Sequence, residues 1–276
     1  MSDVGARMRT GHPHIAEGDA YILERVREFA RNRRAPRVLN VGCGGGYLAW
    51  RLAEEFPEAQ IIAQEDYEPA FDELRKRLGN TRVRMVTVPL EQWAEPVDMV
   101  IGWGAHHHMV PSYVDRVRDT LTEGGVFLLG DEFCPDYCNE ADRRRIEDAE
   151  IIAIVDGFVL TNANEIAEHA RSGRVPDAAR EMESRRQQAL WRWYRYVVDY
   201  AMERNHIDIA SYELNAAHND LLTGSSEEHK VAARIVERDL VLRGFRQRSR
   251  HALGPVDEPE HRSFVLYELV CDTPRR

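Results

Sequence analysis

Residues 21–30 (YILERVREFA) carry the three-to-four-residue spacing of an amphipathic helix, and they lead into a short apolar run at 37–41 (RVLNV) closed by glycines. Helical periodicity returns at 47–56. Residues 60–63 (QIIA) then read as a second strand, and 70–78 (AFDELRKRL) as a helix ended by Gly79 and Asn80. Further strand-like runs follow at 83–88 (VRMVTV), 97–102 (VDMVIG) and 125–130 (GVFLLG), with a helix at 112–121. These strands are largely apolar, as strands are when a parallel sheet is covered by helices on both faces. The alternation stops after Asp131. Residues 140–218 read as almost continuously helical, with breaks near 173–176 and 205–209. A last helix at 227–242, followed by Gly244, precedes two strand-like segments at 245–251 and 263–270, joined by the stretch 254–260. These form an antiparallel hairpin at the sheet edge. The pattern predicts an α/β domain made of residues 1–132 and 227–276, interrupted by a helical insertion at 133–226 that caps the carboxyl ends of the strands.

Charge narrows the partners. A formal net charge of −10 over 276 residues lacks the concentrated basic face that a phosphate backbone or an anionic membrane requires. Neither nucleic acid nor membrane is therefore expected as a partner, and a small-molecule substrate is. No apolar run approaches the roughly 18 residues of a membrane span, and the polar start at 1–10 is unlike a secretory signal. Four unevenly placed cysteines, Cys43, Cys134, Cys138 and Cys271, do not make a disulfide scaffold, which points to a reducing cytoplasm. Self-association into a homodimer is left open.

The strongest chemical signal is residues 38–47 (VLNVGCGGGY), a strand running into a G-x-G-x-G turn and then a helix. Glycines there permit positive φ and let a ligand lie against bare backbone. Glu65 follows the next strand about 20 residues on, where Rossmann-type sites place a carboxylate on ribose hydroxyls. A nicotinamide enzyme would favour a different glycine spacing and ranks below.

In these features the sequence resembles the class I S-adenosylmethionine (SAM)-dependent methyltransferases, over residues 21–130 and 227–272. Their fold would make this chain a Rossmann-like, doubly wound, seven-stranded sheet with a C-terminal antiparallel hairpin, plus the cap. The glycine loop is similar to their first motif, residues 97–100 (VDMV) to their fourth strand, and 121–126 (LTEGGV) to the turn before their fifth. The resemblance implies SAM as cofactor, with Gly42, Gly44 and Gly46 against its methionine half and Glu65 on its ribose. Asp66, Leu90, Glu91 and Trp103 complete the expected cofactor set. The chain departs from the family after strand three, where Pro89 and Leu90 stand in place of an acid that binds the adenine amine; Glu91 or a backbone group would take over.

His106, His107 and His108 follow strand four, at the end of the sheet where such folds open their ligand crevice. His106 or His107 is a candidate general base. No metal is expected on this run, because adjacent residues do not readily turn onto one ion. Asp131 and Glu132 leave strand five at the same rim; Asp131 could orient an amine or accept a proton, while Asn139 with Asp142 reads as a capped helix start. In the insertion, Trp193, Tyr196 and Tyr200 share one helix face beside a core stripe of Leu190, Tyr194, Val197 and Ala201. Two stripes suggest that one faces a cavity, where rings would stabilise a sulfonium, and Tyr196 joins the candidate catalytic residues on that ground.

The leading expectation is methyl transfer to a small molecule of secondary metabolism. The alternative uses the same cofactor at its aminocarboxypropyl carbon, as in synthases or azetidine-2-carboxylate-forming cyclases that release methylthioadenosine. A SAM-binding protein without catalysis is a third reading.

Overall fold

The computed structural model describes residues 4–222, 229–254 and 261–272. Helices α1 (Val4–Gly11) and α2 (Ile15–Ala30) lead into strand β1 (Arg37–Val41), α3 (Tyr47–Glu55), β2 (Gln60–Gln64), α4 (Phe71–Leu78), β3 (Arg84–Val86), β4 (Val97–Trp103), α5 (Tyr113–Thr120) and β5 (Leu121–Glu132). The insertion contributes α6 (Glu140–Glu147), β6 (Ala153–Val155), β7 (Phe158–Leu160), α7 (Ala163–Ser172), α8 (Asp177–Glu203) and α9 (Ile207–Leu221). The chain closes with α10 (Ala233–Leu242), β8 (Phe245–Ala252) and β9 (Phe264–Cys271).

The main sheet has seven strands in the order β3-β2-β1-β4-β5-β9-β8. Strands β1 to β5 pair in parallel, and β9 lies antiparallel between β5 and β8. The order reverses beside β1, between β1 and β4, and that switch point opens a crevice at the carboxyl ends of the strands. Val38, Leu39, Val100, Ile101, Phe127 and Leu129 are fully buried, as strands covered on both faces require. Asn40 is the polar exception in β1, and its amide donates to the Ile101 carbonyl at 3.2 Å.

The insertion differs from the near-continuous helix expected at 140–218. A two-stranded antiparallel hairpin, β6–β7, interrupts it. Its turn is Asp156-Gly157, with φ of 48° and 81°, the two left-handed residues that match the twist of a tight hairpin. The capped start at Asn139 holds: its side chain accepts from the Asp142 amide while Asp142 accepts from the Asn139 amide. The helix expected from 227 begins at Ala233 among the described residues. Part of the expected 254–260 connection lies outside the described residues. The apolar core is continuous between sheet and insertion, with Leu190, Trp193, Tyr194 and Val197 of α8 in the same cluster as Phe264 and Leu266 of β9.

Buried ions join the insertion to the rest. The Arg186 guanidinium on α8 donates to both Glu183 oxygens at 2.7 and 2.9 Å, to Asp220 Oδ1 on α9 at 3.0 Å, and to the Lys230 carbonyl at 3.1 Å. Lys230 Nζ donates to Tyr194 Oη at 2.7 Å and to Asp220 Oδ2 at 3.3 Å, and lies 3.9 Å from Glu132 Oε2 at the end of β5. No described helix is long and apolar enough to cross a membrane.

Candidate functional site

The glycine loop bends away from β1 with Gly42, Gly44 and Gly46 at φ of 57°, 53° and 76°. These are left-handed values that side-chain-bearing residues avoid. What a side chain would meet separates the three. A Cβ on Gly42 would stand 2.6 Å from the Ala105 Cβ, and one on Gly46 2.7 Å from Leu74 Cδ1. A Cβ on Gly44 would meet no atom of the described residues within 4 Å. Packing therefore demands two of the glycines, and only Gly44 looks onto open space.

Glu65, buried after β2, braces the loop: its Oε2 accepts from the Gly44 amide at 2.6 Å and its Oε1 from the Tyr67 amide at 2.9 Å. Asp66 and Glu91 are exposed on either side of the strand ends. Leu90 is buried in the core within a short helical turn, so only its backbone is placed to meet a ligand.

Trp103, at the end of β4, packs its ring where side chains on Gly18 and Gly130 would stand, and its indole N–H donates to Asp19 at 2.9 Å. Asp19 also pairs with Arg9 at 2.5 Å, and the Arg9 guanidinium lies 3.2 Å above the Tyr47 ring. Burial raises the Asp19 pKa, against the pull of Arg9. The N-terminal helices thus close over the loop. Arg9 and Trp103 form a wall shared by two cavities: one of about 260 Å³ lined by Asn40, Cys43, Gly45 and Tyr47, and one of about 250 Å³ lined by Gly104, His107, His108, Glu132 and, from α9, Glu213 and Ala216.

The histidine run divides. His107 Nδ1 meets Asp131 Oδ1 at 2.7 Å, and the His107 amide donates to Asp131 Oδ2 at 2.8 Å. Burial pushes Asp131 up, but attraction to the facing His107 ring when that ring is protonated, with the hydrogen bonds from His107 and the Glu132 amide, outweighs it and holds the carboxyl at about 2. An ionised Asp131 keeps the ring proton on Nδ1 and leaves the Nε2 lone pair as acceptor, at the wall of the cavity. His106 instead contacts Tyr113 Oη at 3.0 Å, and burial lowers it to about 4. His108 is exposed and lies against His107, with ring centroids 4.0 Å apart.

The aromatic face of α8 is placed otherwise than expected. Trp193 is fully buried in the core with Leu190, Tyr194, Val197 and Ala201, so the wider stripe faces the protein. Tyr196 is stacked on the His261 ring at 4.2 Å, and Tyr200 lies beneath Arg204 at 3.5 Å. None of the three lines either cavity. Sequence reasoning missed His12, Glu213 and Lys230, which do. Their only advance signal was the rarity of lysine, since Lys76 and Lys230 are the only two in the chain.

Residues 38–125 match the family model described as a methyltransferase domain. Over that stretch the chain carries a methyltransferase domain. The cofactor of that domain is SAM, and the loop fits it: Gly44 offers bare backbone to open space, and a buried carboxylate stands beside it. The chain is 33% identical over 109 residues to a tRNA U34 carboxymethyltransferase of Proteus mirabilis, covering 35% of this chain and 34% of that protein. It is 35% identical over 85 residues to a malonyl-[acyl-carrier protein] O-methyltransferase of Geobacter sulfurreducens, covering 28% and 32%. The chain thus spans about a third of the length of these curated relatives. Among solved structures, a magnesium protoporphyrin IX methyltransferase from Synechocystis with bound SAH aligns over 98% of this chain and 87% of that one, at a TM-score of 0.49 and 12% identity.

Proposed function

We propose that this chain is a SAM-dependent methyltransferase of the cytoplasm that acts on a small molecule of secondary metabolism. The observation that carries the reading is the His107–Asp131 pair, a base held in one tautomer at the wall of a half-enclosed cavity that shares Trp103 with the space beside the glycine loop. When bound, SAM supplies an electrophilic methyl group. The acceptor's O–H or N–H gives its proton to His107 Nε2 as its lone pair attacks, and the ionised Asp131 stabilises the imidazolium so formed. Arg9, Trp103 and α9 limit the access of water. A cavity of about 250 Å³ suits a small acceptor, and the net charge of −10 disfavours a tRNA.

The test is the nucleoside product. The protein is incubated with SAM and a panel of small phenols, amines, carboxylates and thiols, with tRNA as a separate arm, and the products are identified by mass spectrometry. Adenosylhomocysteine formed with a small acceptor supports the reading. Methylthioadenosine overturns it in favour of attack at the aminocarboxypropyl carbon, and turnover on tRNA alone overturns the substrate class.

A further inference from the structure

We propose that His12, Glu132 and Glu213 form a binding site for one divalent first-row transition metal on the wall of the acceptor cavity. The three side chains come from distant parts of the chain: the link between α1 and α2, the end of β5, and the middle of α9. One ligand atom from each lies within 4.8 Å of the others, and all three belong to the same cavity wall. Two bonds of about 2 Å span about 4 Å, so a single ion reaches all three after small side-chain movements.

The independent observation is the His12 ring. It is 2% exposed, it packs against Phe264 at 5.2 Å and Trp193 at 6.2 Å, and neither of its nitrogens has a hydrogen-bond partner among the described residues. Buried imidazole nitrogens are normally satisfied, and leaving one without a partner is destabilising. A ring fixed by two aromatic neighbours, with a lone pair aimed among carboxylates, is a ligand awaiting an ion. Lys230 stands beside the site, 3.9 Å from Glu132 Oε2, and its ammonium also donates to Tyr194 and Asp220.

The donor set selects the ion. Imidazole with two carboxylates suits manganese, iron or zinc better than magnesium or calcium, which prefer all-oxygen shells. Three protein ligands with the remaining positions facing a cavity is the arrangement of a reactive site and not of a structural one. If the methyl-transfer reading holds, the open positions face the acceptor and would take an oxygen-bearing molecule. Metal binding itself does not rest on that reading.

The experiment measures binding, not turnover. Full-length protein is stripped with a chelator, and Mn²⁺ is titrated in while free ion is followed by electron paramagnetic resonance; Zn²⁺ retained after gel filtration is quantified by elemental analysis. The expected result is one equivalent bound, a dissociation constant raised at least about tenfold in His12→Gln and in Glu213→Gln, and no change in His108→Ala. Circular dichroism confirms that each variant is folded. Wild-type protein that binds no metal overturns the proposal without any variant. So does binding that survives both glutamine substitutions, or binding that is lost in His108→Ala, which would place the ion on the histidine run.

Discussion

The glycine-loop rim and the insertion are held in place by opposite means. At the rim, strands buried on both faces set the backbone, and the loop is fixed by main-chain amides reaching Gln64 and Glu65. In the insertion, α8 and α9 are tied to each other and to the start of the α10 segment by charges with no access to water: Arg186 and Asp220 are both 0% exposed. The rim is specified by main-chain geometry and the insertion by buried side-chain charges. The first arrangement spreads its dependence over several glycines and main-chain amides. The second concentrates its dependence on one guanidinium, because removing one member of a buried ion network leaves the others uncompensated.

The largest effect is therefore expected at Arg186. Arg186→Ala should cost about 3–5 kcal/mol of stability by denaturant titration. A loss under about 1 kcal/mol would mean that the network is solvated and that the contrast between the two regions fails. Next comes Asp131→Asn, which would present an N–H₂ to His107 Nδ1 and favour the wrong tautomer. Turnover should fall roughly 10²-fold or more while SAM affinity stays the same. Equal losses in both would make Asp131 a structural residue.

A smaller effect is expected at Glu65. Glu65→Ala should weaken SAM binding by about 1.5–3 kcal/mol in calorimetry, the range of a hydrogen bond to a charged group. Unchanged affinity would confine Glu65 to bracing the Gly44 and Tyr67 amides. The smallest belongs to Tyr196. Its ring is stacked on His261 away from the cavities, so Tyr196→Phe, which keeps that ring, should leave turnover intact. A sharp loss of turnover with no loss of stability would return Tyr196 to the catalytic set.

The same contrast explains what the sequence disclosed. The strands, the glycine loop and the terminal hairpin were legible because each is encoded in a contiguous pattern of apolar runs and turn residues. Asp156-Gly157 was an equally local signal for β6–β7, overlooked inside a stretch that otherwise reads as helix. Trp193, Tyr196 and Tyr200 were correctly placed on one helix, but periodicity says which residues share a face and not what that face meets. α8 lies in the core on more than one side, so Trp193 turned inward. His107 was legible as one of three, and its distinction from His106 came only with Asp131 folding beneath it. The meeting of His12, Glu132 and Glu213 had no local trace at all.

If Gly44 is the glycine kept for a ligand, replacing it without straining the loop should abolish SAM binding and spare the fold. Valine would be a poor choice, since a β-branched residue at φ of 53° is strained whatever the space around it. Asparagine tolerates the left-handed region, and a Cβ at this position meets none of the described residues beyond its chain neighbours within 4 Å. SAM is titrated calorimetrically into wild-type protein and into Gly44→Asn, with thermal melts run alongside. The account predicts one SAM per wild-type chain, and a variant whose stability lies within about 1 kcal/mol of wild type but which no longer binds SAM. A Gly44→Asn protein that folds and binds SAM with wild-type affinity would contradict it.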